Sequence, residues 1–146
     1  MKLLNKSNLI KKLRIKDPFL MIDKIDKINV GKSGIGHKLI KKNEWFFKCH
    51  LIDKPMMPGV LQTEAMLQTV VGVVHQHKHL INKNCIIVKS ATNFYSEINK
   101  PGKITIKVKI TSLKEKFTEA IATIHFGKKK KSEGNFQFFN ILKKND

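Results

Sequence analysis

His50 and Glu64, fourteen residues apart, have the side-chain types and surroundings that best suit acid–base chemistry in this sequence. An imidazole close to neutrality can accept or donate a proton near pH 7, but an isolated histidine is more often a packed, hydrogen-bonded residue. Glu64 lies in a long apolar segment, where a carboxylate must be paired, hydrated, protonated or catalytic. The two residues are therefore the first candidates for a catalytic site.

The apolar segment that carries Glu64 predicts a long helix over residues 59 to about 74. Pro58 suits the first helical turn, where the missing N–H of proline costs no hydrogen bond. The segment is apolar almost all the way round, which is typical of a helix enclosed by the rest of a fold. Glu64 and Gln68 are one turn apart and share a face, so Gln68 is a candidate hydrogen-bond partner for Glu64.

A longer motif with fixed spacing surrounds both candidates. Its members are, in order, His50, Pro55, Pro58-Gly59, Glu64, Ala65-Met66 and Gln68. This string resembles the active-site segment of the 3-hydroxyacyl-acyl-carrier-protein dehydratases, the FabA/FabZ family of the hotdog fold. Looser similarity continues at residues 18–23 (PFLMID) and at the Pro101-Gly102 turn, so the resemblance covers most of the chain.

The resemblance implies a role for each residue of the motif. His50 would be the base that removes the proton next to the thioester carbonyl, and Glu64 the acid that protonates the leaving hydroxyl. The Gly59 N–H at the helix N-terminus would bind the thioester oxygen. Pro58 and Gln68 would support this arrangement. The reaction requires no metal and no other cofactor.

The motif mixes features of two branches of the family. Glu64 is the acid of the FabZ type, where the FabA type has Asp, whereas residues 45–47 (WFF) are more similar to the FabA run. Because the acid is Glu, we expect dehydration without movement of the double bond. Lys48, Leu51 and Ile52 depart from the family pattern, which leaves a non-catalytic relative that only binds the carrier as an alternative.

The resemblance also implies the architecture and the partners. The fold class is α+β: a hotdog fold, with an antiparallel sheet wrapped around one long central helix in a single domain over residues 1–146. The partner would be an acyl-carrier protein holding the acyl chain as a thioester. His50 and Glu64 would come from different subunits of a homodimer, which could assemble further into a trimer of dimers. The alternatives are an acyl-CoA thioesterase and an enoyl hydratase.

Patterning predicts the other elements. We expect an amphipathic helix at residues 3–13, or a shorter one capped by Ser7, and strands at residues 19–30 and 35–40. Further strands are expected at residues 85–89, 93–98, 104–110, 117–126 and 136–142, with a lysine-rich turn at residues 127–134. Cys49 is expected to be a small buried thiol on a strand, facing away from His50.

The net charge of +18 is extreme for 146 residues, yet it discriminates poorly between functions. Arg14 is the single arginine, and base readout favours arginine, so nucleic-acid binding is disfavoured. A basic surface would attract an acidic carrier protein. The composition and the absence of a long apolar run predict a cytoplasmic protein without a membrane span. His75 and His79 have metal-ligand spacing but no third ligand, so we read them as cations favoured at a helix C-terminus.

Overall fold

The structure, a computed structural model, describes residues 2–143, and within them it contains a seven-stranded antiparallel sheet and three helices. The elements in chain order are β1 (Lys2–Leu4), α1 (Lys6–Leu13), β2 (Lys24–Asn29), β3 (Ser33–Ile40), α2 (Trp45–Cys49), α3 (Gly59–Val74), β4 (Lys83–Phe94), β5 (Gly102–Leu113), β6 (Phe117–Phe126) and β7 (Lys129–Leu142). The strand order in the sheet is β1-β2-β3-β5-β6-β7-β4.

The sheet curls around α3, which contacts every strand from β2 to β7. Ala65, Met66, Val70 and Val73 of α3 are fully buried and form part of the hydrophobic core. The alternating burial of β5 and β6 supplies the opposite wall of that core, because every second side chain of a strand faces the same side of the sheet. The α+β prediction of one helix wrapped by an antiparallel sheet is confirmed.

The bounds of α3 agree with the predicted helix, and its first residue is Gly59. Pro58 was predicted in the first helical turn, but it is the N-cap residue, with φ −55° and ψ 137°. Its carbonyl accepts hydrogen bonds from the N–H groups of Leu61 and Gln62. The missing proline N–H is therefore still harmless, and the Gly59 N–H becomes the first one of the helix.

The N-terminal helix is shorter than predicted and is preceded by a strand. Asn5 caps α1 by accepting a hydrogen bond from the Asn8 N–H at 2.9 Å, while the Asn8 side chain accepts one from the Asn5 N–H at 3.1 Å. The prediction that Ser7 caps the helix is wrong, because this reciprocal pair satisfies the first turn two residues earlier. Leu4, predicted in the helix, lies in β1 and pairs with Ile25.

The strand predicted at residues 19–30 is only half present, because β2 begins at Lys24. The N–H groups of Phe19 and Leu20 bind the Lys16 carbonyl in a turn. Beyond it, the Met21 N–H and the Phe19 carbonyl bind the side chain of Gln68 rather than a neighbouring strand. This segment is therefore held by α3, and its buried apolar residues belong to the core without being in the sheet.

The aromatic run before His50 forms the short helix α2, not a strand. Phe46 is fully buried, with its ring edge-to-face against those of Trp45 and Phe47. Because α2 places the Phe46 ring in the core, tertiary packing overrides the strand preference of aromatic residues. Cys49 is exposed, so the prediction of a small buried thiol on a strand is wrong; Cys49 and Cys85 are both free.

β5 and β7 are longer than their patterns indicated, whereas β6 has the predicted bounds. β4 is one strand with a register shift between Ile87 and Lys89, where two strands were predicted. It ends at Phe94, so the strand predicted over residues 93–98 is wrong beyond that residue. β7 starts at Lys129, so the turn before it is confined to Gly127 and Lys128 and the predicted turn over residues 127–134 is wrong. Pairing with both β4 and β6 extends β7 through a lysine run that carries no visible alternation.

Candidate active site

His50 ends the short helix α2 and is oriented by a backbone carbonyl. It is the C-cap residue, and its N–H binds the Phe46 carbonyl. Its Nδ1 lies 3.0 Å from the Met56 carbonyl oxygen. A carbonyl can only accept, so the neutral ring carries its proton on Nδ1 and leaves the Nε2 lone pair unprotonated. That is the protonation state a general base needs.

The loop after His50 is fixed at both ends. Leu51 adopts a left-handed conformation with φ 51°, which turns the chain back on itself. Met57 is 1% exposed, and its N–H binds the Ile98 carbonyl at 2.8 Å. Lys54 pairs with Glu97 at 3.3 Å. These contacts tie the His50 loop to the segment between β4 and β5.

The N-terminus of α3 follows this loop directly. The first N–H groups of a helix have no intrahelical acceptor, so the Gly59 N–H is available to a ligand. A Cβ at Gly59 would lie 3.0 Å from the ring of Phe94, so glycine is also needed here for close packing against β4. The resemblance implies that the Gly59 N–H binds the thioester oxygen, and the structure adds a packing reason for glycine at this position.

Glu64 lies on the least buried stripe of α3 and is itself half-buried. Burial raises the pKa of its carboxyl group, while the hydrogen bond from Gln68 works in the opposite direction. The net shift favours the protonated carboxyl relative to an exposed glutamate. This environment suits a general acid.

Gln68 is 2% exposed and connects Glu64 to the segment before β2. Its Nε2 donates to Glu64 Oε1 at 3.0 Å and to the Phe19 carbonyl at 2.9 Å, and its Oε1 accepts the Met21 N–H at 2.8 Å. The contact predicted between Gln68 and Glu64 is therefore present. The partners at Phe19 and Met21 were not predicted, because backbone groups leave no trace in residue type.

A cleft of about 280 Å³ runs along α3 from Glu64. Its walls include Leu67 and Val71 of α3, with Ile86 and Ile87 of β4 opposite. His50 is not among the residues that line it. Within one chain, Glu64 thus lines an apolar cleft, and the ring of His50 is held by the Met56 carbonyl outside that cleft. The structure does not bring the two side chains into one cavity.

His75 and Cys85 close the far end of the same cleft, with His75 Nε2 3.6 Å from Cys85 Sγ. His75 is 6% exposed, and burial, with a smaller effect of Lys143, lowers its pKa to about 4. Burial raises the pKa of Cys85 to about 11. Both groups are neutral at pH 7, so the reading of His75 as a helix-terminal cation is wrong.

Over residues 2–143, no group of three or more histidine, cysteine, aspartate and glutamate side chains is placed to hold a metal ion. The helices in that range are all too short or too polar to cross a membrane.

Comparison with known proteins agrees with the motif. Residues 14–133 match the FabA-like domain. The 3-hydroxyacyl-[acyl-carrier-protein] dehydratase FabZ of Clostridium kluyveri is 33% identical over 132 residues, which cover 83% of this chain and 85% of the relative. The FabZ of Clostridioides difficile is 33% identical over 130 residues, covering 86% and 89% of the two chains.

Solved structures share the fold at lower identity. A conserved protein of Pseudomonas aeruginosa superposes with a TM-score of 0.64 at 12% identity, covering 80% of this chain and 86% of that one. A hypothetical thioesterase of Streptococcus pneumoniae, solved with coenzyme A, gives a TM-score of 0.64 at 11% identity over 83% and 87% of the chains. These neighbours support the hotdog fold, and the sequence matches go further: the chain belongs to the FabA/FabZ-like family and is closer to FabZ.

Proposed function

We propose that this protein dehydrates 3-hydroxyacyl thioesters carried on an acyl-carrier protein to trans-2-enoyl thioesters, in the biosynthesis of fatty acids or related acyl chains. The observation that carries the proposal is the match to FabZ dehydratases over more than four fifths of both chains. The acid–base residues of the motif are intact in this sequence, and their surroundings suit their roles.

The reaction follows from three groups. His50 Nε2 removes a proton from the carbon next to the thioester carbonyl, and the electron pair moves towards the carbonyl oxygen. The Gly59 N–H stabilises the negative charge on that oxygen. The electron pair then returns to form the double bond between the second and third carbons, the bond from the third carbon to its hydroxyl breaks as Glu64 delivers its proton, and water leaves. Proton exchange with solvent restores neutral His50 and protonated Glu64.

The acyl chain lies in the cleft beside α3 in this proposal. The reacting end is near Gly59 and Glu64, so the tail extends past Leu67 and Val71 towards His75. The eleven residue-to-residue steps from Glu64 to His75 span about 16 Å of helix. An extended chain advances ~1.3 Å per carbon, from C–C bonds of ~1.5 Å, so the cleft suits tails of about a dozen carbons.

A homodimer completes the site in the proposal, since His50 lies outside the cleft of its own chain. β4 is an edge strand with β7 as its one neighbour among the described strands. It exposes Ile86, Ile87, Val88 and Phe94 by 41–54%. A long apolar edge with unpaired backbone groups is a template for strand pairing, and a second copy of this chain is the partner that would bring in the missing histidine.

The dimer has its own test. We expect Val88→Asp to give a monomer without turnover, because a carboxylate would be buried in the strand pairing. Val30→Asp changes a valine exposed by 36% outside β4 and should stay dimeric and active. Light scattering after size exclusion measures the mass and also distinguishes a dimer from a trimer of dimers. An active monomer would contradict a shared site.

The activity is tested with 3-hydroxybutyryl and crotonyl thioesters on the acyl-carrier protein and on coenzyme A, in both directions. We expect interconversion on the carrier, lost in His50→Ala and Glu64→Gln. Free thiol without enoyl absorbance would identify a thioesterase, and turnover confined to coenzyme A esters would identify an enoyl hydratase. Carrier binding without any turnover would identify a non-catalytic relative, and a cis-3-enoyl product would add isomerisation.

The single domain and the cytoplasmic location remain predictions.

A further inference from the structure

A basic pocket of about 640 Å³ lies next to the His50 loop and is not used by the proposed reaction. We name it the lysine pocket; it is lined by Ser96, Glu97, Asn99, Lys100, Phe126, Lys129 and Lys131. These residues come from the segment between β4 and β5, the end of β6 and the start of β7. Three lysines from two separate parts of the chain thus face one cavity.

Two of the lysines share one aromatic ring. The Nζ atoms of Lys100 and Lys131 lie 5.6 Å and 5.9 Å from the centroid of the Phe126 ring. Cation–π contacts hold both ammonium groups near the ring without neutralising them. Two positive charges held close together repel each other, and a shared anion would relieve that repulsion.

The acidic residue of the pocket offsets this cluster only in part: Glu97 raises the pKa of Lys131, but burial and the neighbouring lysines outweigh it. Glu97 Oε2 pairs with Lys54 at 3.3 Å, and its Oε1 accepts a hydrogen bond from Asn99 at 3.0 Å. Lys131 instead donates to the Glu97 backbone carbonyl at 2.8 Å. The Glu97 carboxylate is therefore engaged at the side of the His50 loop, and the lysines keep a net positive charge in the pocket.

Lys131 and Ser96 are both partly buried in the pocket wall. Partial burial lowers the pKa of Lys131, and Lys129 and Lys100 lower it further. Ser96 Oγ is buried and has no hydrogen-bond partner among the described residues. A hydroxyl donor beside three ammonium groups is a suitable set of donors for the oxygens of a tetrahedral anion.

The pocket is attached to the catalytic segment of the same chain. Met57, just before Pro58, binds the Ile98 carbonyl, and Ile98 follows Glu97 in the pocket wall. Phe94, two residues before Ser96, packs against Gly59. An anion in the pocket would thus lie near the chain segment that carries His50 and the proposed oxygen-binding N–H.

We propose that the lysine pocket binds the phosphate group of the pantetheine arm that carries the acyl thioester. The assignment rests on the proposed function, which requires such an arm. Lysine ammonium groups bind phosphate as point charges. The pocket fixes the charged end of the arm on one side of the His50 loop while the thioester reaches the catalytic groups on the other.

The test compares 4′-phosphopantetheine with pantetheine, which lacks the phosphate, by isothermal titration with the whole protein. We expect the phosphorylated arm to bind at least about tenfold more tightly, and the preference to disappear in the double variant Lys100→Gln/Lys129→Gln. Both lysines are exposed, so the fold should be retained. Lys103→Gln/Lys128→Gln removes two exposed charges outside the pocket and should keep the preference.

Kinetics gives a second readout with 3-hydroxybutyryl thioesters of the same two arms. We expect the pocket variant to raise KM about tenfold or more for the phosphorylated substrate only, with kcat unchanged. Equal binding of both arms, or an equal effect of the control variant, overturns the proposal. Binding of inorganic phosphate without a preference between the two arms also overturns it. So does a pocket variant that loses as much affinity for a carrier without its arm as for a carrier with it. Absence of turnover with either substrate contradicts the proposed function, and the titration still decides the inference.

Discussion

Gln68 Nε2 donates a 3.0 Å hydrogen bond to Glu64 Oε1 one helical turn away. The Met21 N–H binds the Gln68 Oε1, which fixes the orientation of the amide and so determines which Glu64 oxygen receives a donor. The acid proton of Glu64 must then lie on Oε2. The same hydrogen bond moderates the pKa of Glu64, which burial raises.

Gln68→Met tests this arrangement, since methionine has a similar size and no amide. We expect a loss of about 2–3 kcal/mol of unfolding free energy, because the buried Met21 N–H and Phe19 carbonyl lose their partner. The alkaline limb of the activity profile should move to higher pH, because the hydrogen bond that lowers the Glu64 pKa is gone. Denaturant unfolding and pH-rate profiles measure the two effects.

Gln76→Met is the matched control for that variant. Gln76 makes one side-chain hydrogen bond, to the Gly72 carbonyl at 3.2 Å, and is partly exposed. Replacing Gln76 should lower the unfolding free energy by less than about 1 kcal/mol and leave the pH-rate profile unchanged. Equal costs for the two variants would contradict the connecting role of Gln68.

The raised pKa of Glu64 predicts the direction of a pH effect on activity. A general acid works only when protonated, so kcat/KM should fall as pH rises through the Glu64 pKa, and the fall should occur above the ordinary range of a glutamate. Glu64→Gln should lose at least about 10²-fold in kcat at all pH values. Glu119→Gln is the control, because Glu119 lies on the face of β6 opposite the buried Thr118 and Ala120. It should keep the wild-type pH profile.

The free energy of unfolding should report the same carboxyl group, and it also favours the protonated form. Between the unfolded and the raised folded pKa, folded Glu64 binds more protons than the unfolded chain does, so its contribution falls as pH rises through that window. Glu64→Gln should remove this dependence and be relatively more stable at pH 8 than at pH 4. Thermal unfolding at several pH values measures it, and a constant difference between variant and wild type would contradict the raised pKa.

The hydrogen bond between His50 and the Met56 carbonyl predicts a tautomer. Nitrogen-15 NMR of the imidazoles should find neutral His50 protonated on Nδ1, since only that form donates to the carbonyl. The exposed His79 is the internal comparison and should not share this preference to the same extent. A neutral His50 protonated on Nε2 would leave no lone pair where the base needs it and would argue against the assigned role.

The helix and the motif were predictable because their signals are local. An apolar run after proline determines α3 almost to the residue, and the alternation at residues 104–110 marks the centre of β5. β7 could not be bounded from its lysines, because backbone pairing with β4 and β6 defines its start. Pairing between distant parts of the same chain decides where a strand of this kind begins.

The site was predictable in its residues but not in their partners. His50, Glu64 and Gln68 came from the motif, whereas the Met56 and Phe19 carbonyls act through backbone atoms that any residue has. Conversely, the aromatic run before His50 favours a strand and yet forms α2, because Phe46 finds its place in the core there.

His75 predicts how stability depends on pH. Its pKa falls from 6.5 to about 4 on folding, so the unfolded chain takes up a proton in that range that the folded chain does not. The contribution of neutral His75 to the free energy of unfolding is complete above pH 6.5 and is lost as pH falls towards 4. The loss is at most about 3 kcal/mol. His75→Gln should flatten the decline of Tm over this range, and His79→Gln should preserve it. Parallel profiles for wild type and His75→Gln would contradict the lowered pKa.

The cleft beside α3 predicts which substrates a single valine controls. Val71 lies between Glu64 and His75 on the cleft wall, so Val71→Phe should block the path of a long tail about two turns beyond the reacting end. We expect kcat/KM for 3-hydroxydodecanoyl thioesters to fall at least about tenfold, while 3-hydroxybutyryl thioesters, whose tails end before Val71, keep their rate; a tenfold change corresponds to about 1.4 kcal/mol. Ile10→Phe, on the exposed side of α1, controls for the added ring. Equal losses for short and long substrates would show that Val71 affects folding or the catalytic groups and that the tail takes another path.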